Sequence, residues 1–289
     1  MKTSLSRPKH HRSTGRITLN DVAQAAGVSP STVSRALRGE RAVDPDLVQR
    51  VMAVSEKLGY VPDPAARALA SQRSDHVTIL IPLLTNALFV DLLEAAQRTL
   101  RAAGFQTLMG VTHYNASEEE QLLREQMHHR PAGMLITGLD HSPSTQKLMA
   151  RSKVPCVHLM DLPEELGSTS AAFAEGESIT SGPYCVGFRQ VDAGEAMTQH
   201  LLAQGKKRIV FAAAQLDPRV MQRLQGWRKA LKASQKYDPT LEWLNPAPSS
   251  LALGGLMFEQ IVKQNPAVDA IFFCNDDLAQ GALLAAMRL

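Results

Sequence analysis

Residues 17–38, ITLNDVAQAAGVSPSTVSRALR, read as two short amphipathic helices joined by a tight glycine turn. Leu19, Val22, Ala23 and Ala26 recur at the spacing that gathers side chains on one helical face. Gly27 follows where the chain must leave helical geometry, and Val28 fills the angle behind it. Ser29 is a hydroxyl N-cap, and Pro30 suits the first helical position because an N–H there has no helical partner to lose. On the helix that begins at Pro30, Val33 and Leu37 face inward, whereas Pro30, Ser31, Ser34, Arg35 and Arg38 point outward. This is the layout of a helix-turn-helix, in which arginine forks onto guanine edges and small hydroxyls bond phosphate. A generic helical hairpin with a solvated arginine face is the alternative.

Asp44-Pro45 repeats the cap-plus-proline device and opens a third helix. Its apolar stripe is Leu47, Val48, Val51, Met52, Val54 and Leu58, enough to close a small three-helix core. Gly59 stops that helix, Tyr60 is placed to cover the core, and Val61-Pro62 enforces an extended exit. Asp63-Pro64 then caps a fourth segment, AARALAS.

The run LNDVAQAAGVSPSTVSRAL, then LGYVP, then AARALAS, resembles the headpiece and hinge of the lac repressor (LacI/GalR) family. The resemblance implies DNA contacts from Thr18, Ser29, Pro30, Ser31, Thr32, Ser34, Arg35 and Arg38. It also implies a hinge helix that orders on the operator, with Ala66 and Arg67 beside Leu69, the residue that wedges into the minor groove. Simple helix packing is the other reading of Leu69. Asp63 stands where the family usually has Asn, which keeps a cap and adds negative charge near phosphate.

Charge is distributed to match. Residues 1–75 hold 12 Lys and Arg against 7 Asp and Glu, a net of +5, and the remainder holds 19 against 21, a net of −2. Residues 1–16, with Lys2, Arg7, Lys9, Arg12 and Arg16 among Ser, His and Pro, have no apolar periodicity and read as a disordered basic arm attracted to phosphate. No apolar core follows that basic start as in a secretory signal, and no run approaches the ~18 apolar residues of a membrane span. A cytoplasmic protein, nucleoid-associated when bound to DNA, is expected. Cys156, Cys185 and Cys274 are widely spaced in apolar, strand-like runs and read as reduced core residues. The pairs His10-His11 and His128-His129 lack the spacing of a metal site, so neither metal nor cofactor nor catalytic constellation is expected.

Beyond the linker SQRSDH the sequence alternates short apolar runs with amphipathic stretches. VTILIP (77–82), a helix at 87–102, FQTLMGV, a Glu-rich helix from Ser117, GMLIT, a helix around 144–151 and VPCVHLM form a first series. The second runs from YCVGF (184–188) through a helix at 191–204, RIVFAAA, a helix at 219–233, a weak strand near Leu241 and a helix around 252–263 to AIFFC (270–274). Strands separated by helices imply parallel sheets with right-handed crossovers. The fold class expected is thus an all-α helix-turn-helix headpiece followed by an α/β body of two parallel-sheet lobes. Its divisions are the arm 1–16, headpiece 17–62, hinge and linker 63–76, and body 77–289, with lobe one at 77–161 and lobe two at 183–289. One large doubly wound sheet is the alternative.

In the family, such a body is similar to periplasmic sugar-binding proteins, with an effector between the lobes where strand C-termini meet helix N-termini. Candidate ligands after those strands are Asn86, Leu88 and Phe89, then Asp161, then Arg189 with Gln190. RVMQRLQGWRKAL resembles the family's Arg-Leu-x-Gly-aromatic run and makes Arg223 the clamping arginine; FFCNDDLAQG resembles its Asn-Asp segment and assigns Asn275 and Asp276 to ligand hydroxyls, or to helix capping. PLLTNALFVDLLEA, LMD, VGF and AAQLDPRVMQR look most like gluconate-type repressors, which implies a sugar acid, and Arg189 would supply a cation for it.

The resemblance further implies a homodimer reading a pseudo-palindromic operator on double-stranded DNA. Family members continue well past the Asn-Asp helix, and this sequence ends at Leu289. A chain lacking that continuation would keep headpiece chemistry and lose dimerisation and effector response, so a truncated, unresponsive regulator stands as an alternative. A sugar-binding protein without a DNA role and an enzyme with a regulatory head are the others. The basic headpiece weighs against the first, and the want of a phosphate loop or paired acid and base against the second.

Overall fold

The computed structural model describes residues 17–39, 43–62, 74–163 and 184–288, in two compact units, the chain dividing between Gln72 and Arg73. The N-terminal unit holds α1 (Leu19–Ala26), α2 (Pro30–Leu37) and α3 (Pro45–Leu58). Each begins on a side-chain cap. Thr18 and Asp21 form a reciprocal capping box on α1, Ser29 Oγ accepts from the Thr32 N–H, and Asp44 accepts from Asp46 and Leu47. Gly27 ends α1 at φ 66°, a left-handed geometry that costs a side-chain-bearing residue roughly 1–2 kcal/mol. Val22, Ala23, Ala26, Val33, Ala36 and Val51 are buried together, with Leu37 and Tyr60 packed on them. Met52, expected in the α3 stripe, is 57% exposed: three helices this short bury only a narrow seam, and Val51 fills it. The hinge candidates Ala66, Arg67 and Leu69 lie outside the described residues.

The second unit is built from β1 (His76–Ile81), α4 (Ala87–Ala102), β2 (Gln106–Val111), α5 (Ala116–Met127), β3 (Gly133–Thr137), α6 (Pro143–Ser152), β4 (Cys156–Asp161) and β5 (Tyr184–Phe188). It continues with α7 (Gln190–Ala203), β6 (Ile209–Ala214), α8 (Pro218–Ala233), β7 (Glu242–Asn245), α9 (Leu251–Gln264), β8 (Ala270–Phe273) and α10 (Asp276–Ala286). Among the described residues there are two sheets, ordered β2-β1-β3-β4-β5 and β7-β6-β8, and every pairing is parallel. The single-sheet alternative is thereby set aside.

One boundary differs from the sequence reading. Tyr184–Phe188, expected to open the second lobe, pairs with β4 as the last strand of the first sheet, Val157 opposite Tyr184 through Asp161 opposite Phe188. The chain passes to the second sheet after β5, through α7. Gly187 fits that pairing because a Cβ there would strike the Met160 and Asp161 backbone. In the second lobe, β6 is wholly buried, and Phe211, Trp227 and Phe272 pack ring against ring around it. The weak strand near Leu241 is β7, preceded by a 3-10 turn at Pro239–Leu241.

Candidate functional site

Two surfaces carry the sequence-derived candidates. On the headpiece, Ser31, Arg35 and Arg38 are exposed on α2, Ser34 is half-buried, and Arg38 Nε donates to the Ser34 carbonyl at 3.2 Å. Ser29 Oγ lies 2.9 Å from Ser31 Oγ and 2.8 Å from Thr32 Oγ1, so three hydroxyls cluster at the helix start beside Pro30. Thr18 is occupied with its own cap, its hydroxyl donating to Asp21 at 2.8 Å. The result is an exposed basic helix face with a hydroxyl-rich N-terminus, the chemistry that grips phosphate and reads base edges.

In the body, a cavity of about 140 Å³ lies between the two sheets. Asn86 caps α4 through the Leu88 N–H at 2.9 Å, and its amide donates to Asp277 of the second lobe at 3.3 Å. Phe89 is buried at the wall, and Leu88 is half-exposed at the rim. From the second lobe come Arg223 and Asn275. Arg223 Nε donates to Gln190 Oε1 at 2.8 Å and Nη1 donates to the Cys274 carbonyl, which fixes the guanidinium plane. Gln190 in turn donates to the Met160 carbonyl at 2.8 Å. Asn275 caps α10 and exchanges bonds with Ser249 at about 3 Å, so capping and cavity lining coexist in one side chain.

Asp161 lines an adjoining cavity of about 220 Å³, with Thr137, Gly138 and Asp140. Burial pushes its carboxyl above the usual aspartate range, against the pull of Arg219. Two candidates fall elsewhere. Arg189 turns to Asp192 at 2.6 Å and lines a separate depression, because its own position at the start of α7 puts a carboxylate three residues on within reach. Asp276 is exposed, since the first turn of α10 aims it outward, and the next residue, Asp277, faces the cleft.

Arg219, Tyr114 and Asp217 were not singled out from sequence. They join the two cavities. Arg219 is nearly buried, 3.5 Å from Asp217, with its guanidinium 5.5 Å from the Tyr114 ring centre and 6.0 Å from that of Phe89. Burial pushes the Tyr114 hydroxyl up to about 12, so the ring stays neutral. The available signal was Arg219 four residues before Arg223, one helical turn apart on α8. Tyr114 and Met160, which line these cavities, also take positive φ, at 57° and 71°. Such backbone concentrates at ligand sites. Among the described residues, no group of three or more His, Cys, Asp or Glu is arranged to hold a metal ion.

Both units match known protein families. Residues 18–63 match the model described as bacterial regulatory proteins, lacI family, and residues 74–288 that of periplasmic binding proteins and the sugar binding domain of the LacI family. The HTH-type transcriptional regulator GntR of Pseudomonas aeruginosa is 48% identical over 280 residues, covering 97% of this chain and 77% of the relative. The crystal structure of transcription regulator GntR from Chromobacterium violaceum is 45% identical, with a TM-score of 0.65 over 74% of this chain and 73% of that one. A LacI-family regulator from Silicibacter pomeroyi is 32% identical, with a TM-score of 0.78 over 94% of this chain and 78% of the other.

Proposed function

The chain belongs to the lacI family of bacterial regulatory proteins, and on that premise we propose that it is a homodimeric repressor of sugar-acid catabolism whose operator affinity is set by a gluconate-type anion. It is a DNA-binding transcriptional regulator and not an enzyme. The observation that carries the effector class is the pair Arg219 and Arg223, one turn apart on α8 and lining one cavity with the uncharged amides of Asn86, Gln190 and Asn275. Two guanidinium groups suit a carboxylate, and amides suit a chain of hydroxyls. The adjoining cavity, with Thr137, Asp140 and Asp161, supplies acceptors for the far end of a polyhydroxyl chain.

The cations come from Arg219 and Arg223, with Arg189 outside the cavity. The α2 face with Ser31, Ser34, Arg35 and Arg38 reads one half-site, and the hinge carrying Ala66, Arg67 and Leu69 bends its centre, as the family resemblance implies. Effector closure of the cleft changes the affinity for DNA by linkage. No helix among the described residues is long and apolar enough to cross a membrane, and action on DNA in the cytoplasm fits the reading. Isothermal titration with gluconate, 2-ketogluconate and ribose, alongside footprinting of DNA upstream of neighbouring genes, tests it. A protected palindrome released by a sugar acid supports the proposal; preference for neutral ribose rejects the sugar-acid assignment.

A further inference from the structure

A second polar cluster lies within the first lobe, against the wall of the larger cavity. The two-residue period of β4 puts Cys156 and His158 on one face, and Cys185 of β5 sits opposite His158. The loop after β3 brings His141 over that face, and α5 supplies Glu119. Glu119, His141 and His158 are each only 8% exposed. They form an unbroken chain: Glu119 Oε1 to His141 Nδ1 at 2.8 Å, His141 Nε2 to His158 Nδ1 at 3.1 Å, and His158 Nδ1 to the Gly138 carbonyl at 3.0 Å.

The distances fix the protons. A carbonyl only accepts, so His158 Nδ1 carries its hydrogen. His141 Nε2, facing that same hydrogen, is then bare, and the neutral His141 ring carries its proton on Nδ1, donated to Glu119. One further proton on His141 Nε2 would set two N–H groups head to head at 3.1 Å. The relief available is for His158 to carry its proton on Nε2, towards Cys156 Sγ at 4.0 Å, which leaves the Gly138 carbonyl without its donor.

We propose that Glu119, His141 and His158 form a proton-operated latch on the loop Gly138–His141, and that uptake of one proton releases this loop and weakens effector binding in the adjoining cavity. The effector half of the statement rests on the reading given under Proposed function. The loop is placed for the role: Gly138 and Asp140 line the cavity with Asp161, and a Cβ on Gly138, at φ 88°, would lie 3.7 Å from Asp161 Oδ2. The added charge belongs on His141, beside the Glu119 carboxylate, whereas a positive charge on the His158 ring would face only a thiol and the Gly138 carbonyl.

The surrounding groups leave those protons to the imidazoles. From α5, Glu120 is turned away to Ser142, Ser144 and Arg124. From β4 and β5, burial pushes the Cys156 thiol up to about 12 and raises Cys185, so both stay protonated. The carboxyls of Asp140 in the loop and Asp161 at the end of β4 face the cavity with Tyr114. Burial holds His158 itself below the ordinary imidazole range.

The test is the ring tautomers of the full ¹⁵N,¹³C-labelled chain, followed by long-range ¹H–¹⁵N spectra from about pH 8 to about pH 5, the range of imidazole titration. Expected are Nδ1–H tautomers on both rings at the alkaline end. As pH falls, His141 should become an imidazolium while His158 passes to Nε2–H, with the Gly138 carbonyl shift moving at the same midpoint. A His158 that keeps Nδ1–H throughout overturns the latch. In parallel, gluconate affinity should fall by up to about tenfold per pH unit below that midpoint, the limit for one linked proton, and His141→Gln should abolish the dependence. A dependence that survives His141→Gln overturns the coupling. A switch in tautomers with no gluconate binding at any pH supports the latch and removes gluconate as its effector.

Discussion

Asn86 in the first lobe donates its side-chain amide to the Asp277 carboxylate in the second at 3.3 Å, a bond between the N-terminal turns of two helices, α4 and α10, that face each other across the cleft. Asn86 is held by its own helix cap and Asp277 stands in the first turn of α10, so the bond ties one lobe to the other. Asn86→Asp keeps the α4 cap but sets a second carboxylate against Asp277. We expect the lobes to spread, visible as a larger radius of gyration in solution scattering, and gluconate affinity to fall by about fivefold, the worth of roughly 1 kcal/mol of like-charge opposition. Asn86→Ser, which keeps a cap without the charge, should change affinity less. A compact Asn86→Asp protein with full affinity would show that this bond does not control closure.

Arg219 and Arg223 should differ from other cavity residues in which ligands they discriminate. Alanine at either removes charge-assisted bonds worth about 1.5–3 kcal/mol, a loss of roughly tenfold to a hundredfold in gluconate affinity. Titration with ribose should show a smaller loss. Equal losses for the acid and the neutral sugar would deny these arginines a carboxylate.

Helices α7 and α8 touch backbone to backbone where Gly226 meets Val191, and a Cβ on Gly226 would collide with the Val191 carbonyl. Gly226→Ala should therefore lower the urea stability by about 1–3 kcal/mol or more through overpacking. Because the same two helices carry Gln190 and Arg223, effector affinity should fall with it. Unchanged unfolding midpoints would contradict the close packing.

On the headpiece, stability and recognition should separate. Ser29→Ala removes the α2 cap and should cost about 1 kcal/mol of headpiece stability. Arg35→Ala, on an exposed side chain, should leave the melting temperature alone and cost about 1–3 kcal/mol of operator affinity, relaxing the preference at one base pair. Uniform weakening across all operator variants would make Arg35 a phosphate contact instead.

Glu242 takes two bonds from Arg228, at 2.7 and 2.5 Å, and one from the Tyr237 hydroxyl at 2.9 Å. The Arg228 bonds lead in holding its carboxyl below the usual glutamate value of 4.5 despite burial. In the unfolded chain that carboxyl takes a proton first, so the stability it contributes is complete above the unfolded value. It is lost as pH falls through the lower folded one. Thermal melts of Glu242→Gln should accordingly lose less of their midpoint below about pH 4.5 than the native chain does. Identical acid branches would refute the assignment.

What could be read from the chain alone follows short-range physics. Ser29-Pro30, Asp44-Pro45 and Gly27 announce helix ends through bonds made within four residues, and Arg223 and Asn275 follow strands or stand in motifs of the resembled family. For Arg189 the position after a strand says nothing of direction: Asp192, three residues on, pairs with its guanidinium. Arg219 was passed over although it precedes Arg223 by one turn, because its role depends on Phe89 and Tyr114, which lie more than 100 residues away in sequence.

The headpiece, the alternation of strands and helices, and the family are legible along the chain, since each is written in local periodicity, caps and contiguous motifs. Folding in three dimensions was needed to show that Tyr184–Phe188 closes the first sheet, that Asp277 and not Asp276 meets Asn86, and that Glu119, His141 and His158 lie in one hydrogen-bonded chain. Strand pairing and buried polar chains bring together residues whose spacing in sequence carries no period, so their partners appear only when the chain has folded back on itself.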